Sequence, residues 1–365
     1  MTRRTFAGPG AYIQNRGEII RLGRHAAELG GRALVLIDRA VDAPYRGTIS
    51  ASFAAAGAGL TAEVFGGESS WPEVERGVAA VQAAGADLVV GVGGGKTIDA
   101  AKLIAHEAGL RLIIVPTIAS TDAPCSAIAA LYSPDGAFER SVRLPHHPDI
   151  VIVDPEVIVR APLRFLVAGI GDALSTWPEA RAAHAAHAAN YAAGGGAATL
   201  AGLAIARQCH ETILAEAIPA VEAARQGRIT PALEHVIEAN TLLSGLGFEN
   251  CGCAAAHGLH NGLTLLEEAH HMMHGEKVAF GVLCQLILEA RPWEEIAATG
   301  RLCRAIGLPT SLAEMGLAGI DDTRLQVAAN GALAERQPTF NSIPEPGTDT
   351  LVDAIRAADA LSHRF

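Results

Sequence analysis

The segment HGLHNGLTLLEEAHHMMHGEK, His257 to Lys277, holds five of the chain's fourteen histidines: His257, His260, His270, His271 and His274. Neutral imidazole is a good ligand for zinc, and a catalytic zinc takes three protein ligands and keeps a fourth position open. His270 and His274 stand four apart and share one face if the segment is helical. Taken singly, His270 or His271 reads as an ordinary exposed imidazole; the whole cluster, closed by HGEK, reads as a metal centre. No HExxH occurs, so a zincin-type protease is not supported. A third ligand must come from elsewhere, and the apolar stretch VAGIGDALSTWPEA offers Asp172. An Asp also fills a helix N-cap readily, but a carboxylate in apolar company needs a partner, and a cation supplies one.

A second chemical signal is DLVVGVGGGKTIDAAKLIA, which reads as strand, glycine turn and helix. It fits neither standard phosphate fingerprint. GxxxxGK(S/T) needs glycine where Val90 stands, and GxGxxG from Gly91 needs glycine where Lys96 stands. The physical means survive the failed patterns: Gly93, Gly94 and Gly95 let backbone approach a pyrophosphate, and the following helix offers free N–H groups at its positive end. The plain alternative is a tight turn with Lys96 in solvent. Asp38, ending the run ALVLID, can accept hydrogen bonds from adenosine-ribose hydroxyls and repel a 2′-phosphate, which favours NAD over NADP. An Asp at a strand end is equally a common turn former.

These groups need a frame to position them. Runs apolar on both faces, ALVLID (33–38), AEVF (62–65), DLVVGV (87–92), RLIIVP (111–116) and DIVIVD (149–154), alternate with helical stretches and predict a buried parallel sheet flanked by helices. AIAALYSPDGAFERSV reads as a hairpin with SPDG as its turn. From Ala161 the strand signal stops, and Ala- and Leu-rich helical stretches follow, broken at GGG (194–196), QGRITP, GLPTS and IPEPG. The expectation is an α/β dinucleotide-binding domain over 1–160 and a helical domain over 161–365, with ligands in a cleft between them.

At 365 residues the chain has room for two cores. Its net charge of −11, with no basic block, argues against nucleic acid or an anionic membrane as partner. No apolar run approaches a membrane span. TRRTF resembles a twin-arginine signal but lacks the apolar stretch such a signal needs, so cytoplasmic sequence is expected. The six cysteines are scattered, and the spacing of Cys251 and Cys253 is not that of a zinc knuckle; buried free thiols are expected.

Several motifs, in order, resemble the glycerol dehydrogenase branch of the iron-containing alcohol dehydrogenase superfamily. They are PGAYIQ, GVGGGKTIDAAK, PTIASTDAPCSA, GIGDALSTWPEA, EANTLLSGLGFE, AAAHGLHNGLT and HHMMHGEKVAFG, and they span nearly the whole chain. The resemblance implies a dehydroquinate synthase-like architecture, with an α/β N-terminal dinucleotide-binding domain plus an all-helical C-terminal domain. It also implies one zinc ion per subunit on Asp172, His257 and His274, leaving His260, His270 and His271 with supporting roles. Implied NAD contacts are Asp38, Gly94, Gly95, Lys96, Asp99, Thr117, Ser120, Ser126, Ile128 and Tyr132; implied substrate contacts are Asp122, Phe248 and His257. The implied reaction is reversible hydride transfer from a small vicinal diol, glycerol giving dihydroxyacetone, in a homo-oligomer that in this family is commonly an octamer. Thr176 stands where the iron-type enzymes carry a further histidine, which favours the three-ligand zinc type.

The chain also departs from the pattern. Pro178 removes a helix hydrogen bond one and a half turns past Asp172. RLPHHPD is more basic than usual, and TFNSIPEP has Asn341 and Ser342 where a His-Asn pair is expected. Competing readings are a dehydrogenase of another small diol or 2-hydroxy acid, a glycerol-1-phosphate dehydrogenase, a dehydroquinate synthase, and a catalytically silent NAD-binding protein. The synthase uses Glu where Asp172 stands, and the phosphate enzyme needs a basic pocket where this chain offers Asp122 and Phe248.

Overall fold

In the computed structural model, which describes residues 3–335, 337–341 and 346–365, the apolar runs form a six-stranded sheet. Its strands are β1 (Ala11–Gln14), β2 (Arg32–Ile37), β3 (Gly59–Val64), β4 (Leu88–Gly93), β5 (Arg111–Pro116) and β8 (Ile150–Val153), in the order β1-β8-β5-β4-β2-β3. Every pairing in it is parallel. β6 (Ile128–Tyr132) and β7 (Phe138–Arg143) form the separate antiparallel hairpin expected around SPDG. The central strands β4, β5 and β8 are buried almost throughout, whereas the edge strands β1 and β3 are half-exposed. β1, the run AYIQ, is a strand the apolar pattern did not predict: it is short, polar at its end, and held as an edge by parallel pairing to β8.

Helices α1 (Leu22–Leu29), α2 (Arg39–Ala56), α3 (Trp71–Ala84), α4 (Gly95–Ala108) and the short α5 (Pro155–Ile158) complete this unit. Val35, Ile37, Val90, Val92, Ile113 and Val115 cluster with Leu22, Ile49 and Phe53 on one face of the sheet. The alternate residues Leu34, Leu36, Val89 and Ile114 are equally buried. Burial on both faces is why these strands read as continuous apolar runs.

The topology contains one reversal of strand order around β2. From β2 the chain passes to β3 on one side, while β4 lies on the other side of β2, so the strand order reverses at the C-terminal ends of β2 and β4. Such a switch point leaves a crevice outside the strand ends. Asp38 follows β2, and Gly94 follows β4 and caps α4.

The second unit is helical among the described residues: α6 (Leu163–Ala185), α7 (Leu200–Arg225), α8 (Pro231–Glu238), α9 (Ser244–Cys251), α10 (Ala255–Leu263), α11 (His274–Leu288), α12 (Trp293–Ile306), α13 (Asp322–Ala332) and α14 (Thr348–Leu361). α6 packs against α7, α9 and α11, and α10 against α11 and α13. No helix among the described residues is long and apolar enough to cross a membrane.

Two compact units result, Gly8–Pro162 and Leu163–Phe365, the second including the chain up to Ala7. The N-terminal arm thus differs from the expected 1–160 assignment. Ala7 exchanges two 2.8 Å hydrogen bonds with the Asn250 side chain, and Thr5 donates to Asn190 at 2.8 Å. These side-chain contacts leave no periodic trace in the arm's own sequence.

Asp154, fully buried after β8, accepts from the backbone N–H groups of Gly17 (3.0 Å), Ile19 (3.1 Å) and Glu156 (3.0 Å). Asp154→Ala leaves three backbone donors, that of Ile19 buried, without this acceptor. The expected cost is about 2–4 kcal/mol, visible as a lower urea midpoint with unchanged m value.

Candidate active site

Asp172 lies mid-helix in α6, His274 opens α11, and His257 lies in the first turn of α10. Nε2 of His274 is 3.2 Å from Oδ1 of Asp172, and Nε2 of His257 is 3.5 Å from the same oxygen. One donor atom from each residue falls within 4.8 Å of the others, a spacing that can hold a metal ion. Asp172 is 1% exposed. Burial alone would push its carboxyl up, but the adjacent His274 and His257 imidazoles overcome that and hold it well below the usual carboxylate range. His257 is affected in the opposite sense: burial pulls it down, and the neighbouring Glu179, Cys253 and Asp172 together more than compensate, raising it well above an ordinary histidine.

Glycines beside the candidate ligands make this convergence possible. A Cβ on Gly171 would strike the Gly275 carbonyl, and one on Gly275 would strike the Ala168 carbonyl. α6 and α11 therefore meet backbone to backbone next to Asp172 and His274. Gly258, beside His257, lies against Thr339, where a Cβ would collide with the threonine hydroxyl.

Each ring is also held from behind. His257 Nδ1 lies 2.6 Å from Oε2 of Glu179. His274 Nδ1 lies 3.0 Å from Nε2 of His260, whose Nδ1 lies 2.9 Å from Oδ1 of Asn261, and Asn261 donates to Gln337 at 2.7 Å. If the two Nε2 atoms face a cation, each Nδ1 must carry the proton, and both chains of hydrogen bonds run consistently outward. Burial and the nearby imidazoles and Lys277 keep His260 well below an ordinary histidine.

The condition under which His270 and His274 would share a face, a helical segment, is not met. His270 closes a 3-10 turn (Glu267–Ala269), and α11 begins only at His274. His270 Nε2 bonds the Thr264 carbonyl and His271 Nδ1 the Glu268 carbonyl, both at exposed positions. Thr176, in place of a fourth ligand, is buried, with Oγ1 3.0 Å from that of Ser244.

In the α/β unit the candidate cofactor residues gather at the switch point and the loop after β5. A Cβ at Gly93 would lie 2.7 Å from the Thr97 side chain and 2.9 Å from that of Asp38, so glycine is required here by close approach. Gly94 caps α4 without a side chain, leaving the first amides of the helix for an anion. Asp38 accepts from Ala40 N at 2.8 Å and from Thr97 Oγ1 at 3.1 Å; it caps α2 while standing beside the turn. Lys96 is paired with both Glu68 oxygens, at 2.5 and 2.7 Å, and sits 5.0 Å above the Tyr132 ring.

Thr117 is buried at the end of β5, and Ser120 is half-buried in the following loop. Ser126 and Ile128 are tied to Lys102, a fully buried lysine that donates to the carbonyls of Ala123 (2.6 Å) and Ile128 (2.7 Å) and to Ser126 Oγ (3.2 Å). Asp99 is 3.9 Å from Lys102; burial raises its pKa to about 6 despite that lysine. Tyr132 is pushed up to about 12 by burial and by the Asp99 and Glu68 charges. Asp122 is half-buried in the α/β unit, before the 3-10 turn Ala123–Cys125. Phe248, half-buried in α9 of the helical unit, lies with its ring 6.3 Å from that of Tyr191.

Residues 9–155 match the iron-containing alcohol dehydrogenase family. A glycerol dehydrogenase of Escherichia coli O6:H1 is 46% identical over 363 residues, covering 99% of this chain and 98% of its own. The crystal structure of a probable glycerol dehydrogenase from Sinorhizobium meliloti 1021 superposes with TM-score 0.94 at 50% identity over 100% of both chains. That of the Schizosaccharomyces pombe glycerol dehydrogenase gives TM-score 0.95 at 38% identity, over 100% of this chain and 92% of the other. The chain belongs to the iron-containing alcohol dehydrogenase family, in its glycerol dehydrogenase branch. It is an oxidoreductase.

Against the family pattern, Pro178 is accommodated inside α6, which continues to Ala185. Asn341 donates to the Cys253 carbonyl at 2.7 Å, reaching the segment that leads into α10, while Ser342 lies outside the described residues. Sequence reasoning missed Glu179, Glu68 and Lys102. A signal existed for Glu179: it follows Asp172 by seven residues, two helical turns, and so shares its face. Glu68 carried none, because it reaches Lys96 across a loop.

Two tests follow from this geometry. Gly275→Ala raises intrinsic helix propensity, yet should cost about 1–3 kcal/mol by forcing α6 and α11 apart. Thermal unfolding would read the loss of stability. Because Asp99 has a raised folded pKa, its contribution is present below its unfolded value of 3.8 and is lost as pH rises toward about 6. Asp99→Asn should flatten the stability profile across that window in urea unfolding at several pH values.

Proposed function

We propose that this chain is a zinc-dependent, NAD-dependent glycerol dehydrogenase that interconverts glycerol and dihydroxyacetone. The observation that carries the reading is the buried Asp172 carboxylate facing two imidazole Nε2 atoms at 3.2 and 3.5 Å. One carboxylate and two nitrogens are a donor set that zinc accepts while keeping an open position. Asp172, His257 and His274 would hold the ion. The glycine turn, with an α4 N-terminus lacking a side-chain cap, fits a pyrophosphate, and Asp38 beside it fits ribose hydroxyls, which supports NAD over its 2′-phosphorylated form.

A bound zinc ion supplies Lewis acidity that makes a substrate hydroxyl a far stronger acid, and NAD supplies the hydride acceptor. The chain's own residues do the rest. The glycine turn, Lys96, Asp99, Thr117, Ser120, Ser126, Ile128 and Tyr132 would bind and orient the cofactor. In the α/β unit Asp122 would accept a hydrogen bond from a second hydroxyl of the diol; in the helical unit Phe248 would offer an apolar wall and His257 a substrate contact. The alcohol carbon gives up its hydrogen as hydride while the hydroxyl proton leaves, so the product is the ketone. All six cysteines are buried and none forms a disulfide among the described residues, which supports a reducing, cytoplasmic setting.

The test is NADH formation from glycerol and NAD before chelation, after chelation and after zinc is restored. Activity should vanish and return with the ion. Asp172→Ala and His274→Ala should each lose at least about 10³-fold in kcat/KM, or about 4 kcal/mol. Full activity in either variant would remove that residue from the site. No turnover of glycerol with zinc bound would leave the metal site standing and point to another small diol or 2-hydroxy acid.

A further inference from the structure

We infer that Glu179 positions His257 for metal binding: it keeps the imidazole proton on Nδ1 and leaves the Nε2 lone pair directed at Asp172. The inference rests on the metal-site reading proposed above and assigns a residue outside the three ligands.

Glu179 is 1% exposed, and among the described residues its side-chain hydrogen bonds go to one short segment. Oε1 accepts from the backbone N–H of Ala254 at 2.8 Å and of His257 at 2.9 Å. Oε2 meets His257 Nδ1 at 2.6 Å. Ala254 is the N-cap residue of α10 and has no capping side chain, so Glu179 on α6 takes over that function from across the packing interface. The two amides can only donate, which fixes the carboxylate's orientation. A carboxylate can only accept, which fixes the hydrogen on Nδ1. Nε2, on the far side of the ring, then points toward Oδ1 of Asp172 at 3.5 Å.

Glu179, Cys253 and His257 also have spacing that could hold an ion of their own. That site would draw on the Glu179 carboxylate, which already takes three donors at 2.6 to 2.9 Å. The geometry is that of a hydrogen-bonded cradle behind a ligand, the arrangement that orients metal-binding histidines generally. Because Glu179 and Asp172 lie two turns apart on α6, one helix supplies both the ligand in front of His257 and the carboxylate behind it.

Replacing Glu179 by glutamine separates positioning from capping. In Glu179→Gln the amide oxygen still accepts from Ala254 and His257, but its NH₂ group donates toward Nδ1. His257 must then move its proton to Nε2 or surrender the contact. The experiment measures zinc affinity of the full-length chain by chelator competition, and urea unfolding in excess chelator, for the parent, His257→Ala, Glu179→Gln and Glu179→Asp.

The expected result is about a 10–100-fold weaker zinc affinity in Glu179→Gln, a metal-free unfolding midpoint close to the parent's, and partial recovery of affinity in Glu179→Asp, which restores an acceptor-only group. Zinc bound equally tightly by parent and Glu179→Gln would overturn the positioning role while leaving the metal site intact. Zinc bound by His257→Ala as tightly as by the parent, or not bound by the parent at all, would overturn the metal-site reading itself.

Discussion

A carboxylate buried to 1% exposure is costly in a protein interior unless charge and hydrogen bonds compensate it, and the helical unit is organised around that demand at Asp172. Its partners are two imidazoles from two other helices, so α6, α10 and α11 must converge at closer than ordinary side-chain distance. Gly171 and Gly275 remove the obstacle between α6 and α11, and Gly258 lets α10 settle against Thr339. Glycine weakens a helix by about 1 kcal/mol relative to alanine. Its presence beside all three candidate ligands shows that proximity, rather than helix propensity, governs these positions.

The imidazoles are restrained in turn. Glu179 holds His257 and His260 holds His274, each through Nδ1, so both rings present Nε2 to the same oxygen. Buried polar groups carry this much weight only when each has its partner. The outward run through His260, Asn261 and Gln337 ends near the segment that also includes Thr339 and Asn341, which contact α10 and its approach.

The α/β unit solves a different problem. Its sheet places the end of β2 beside the end of β4, and the glycine turn keeps that corner narrow enough for Asp38 and Thr97 to touch. Lys102 binds the 123–128 loop to α4 from beneath, so residues distant in sequence are fixed relative to the turn. The Lys96–Glu68 pair puts the one cation of the glycine turn under the control of an acidic neighbour; an anion arriving there would share Lys96 with Glu68.

The sequence by itself determined the parallel sheet, because burial on both faces writes an uninterrupted apolar run into each central strand. It also determined the helical second half and the glycine turn, and its family motifs singled out Asp172, His257 and His274, whose donor atoms the fold brings within 4.8 Å of one another. Tertiary structure alone decided the rest. The edge strand β1 is specified by its partner β8 more than by its own residues. His270 and His271 fell away from the cluster because α11 begins at His274, a boundary set by local capping in which Glu276 bonds Met273 N. The N-terminal arm joined the helical unit through Asn190 and Asn250. Glu179 became a partner of His257 because two helices cross there. Periodicity records which face of an element is buried; it does not record which polar atom on another element lies opposite.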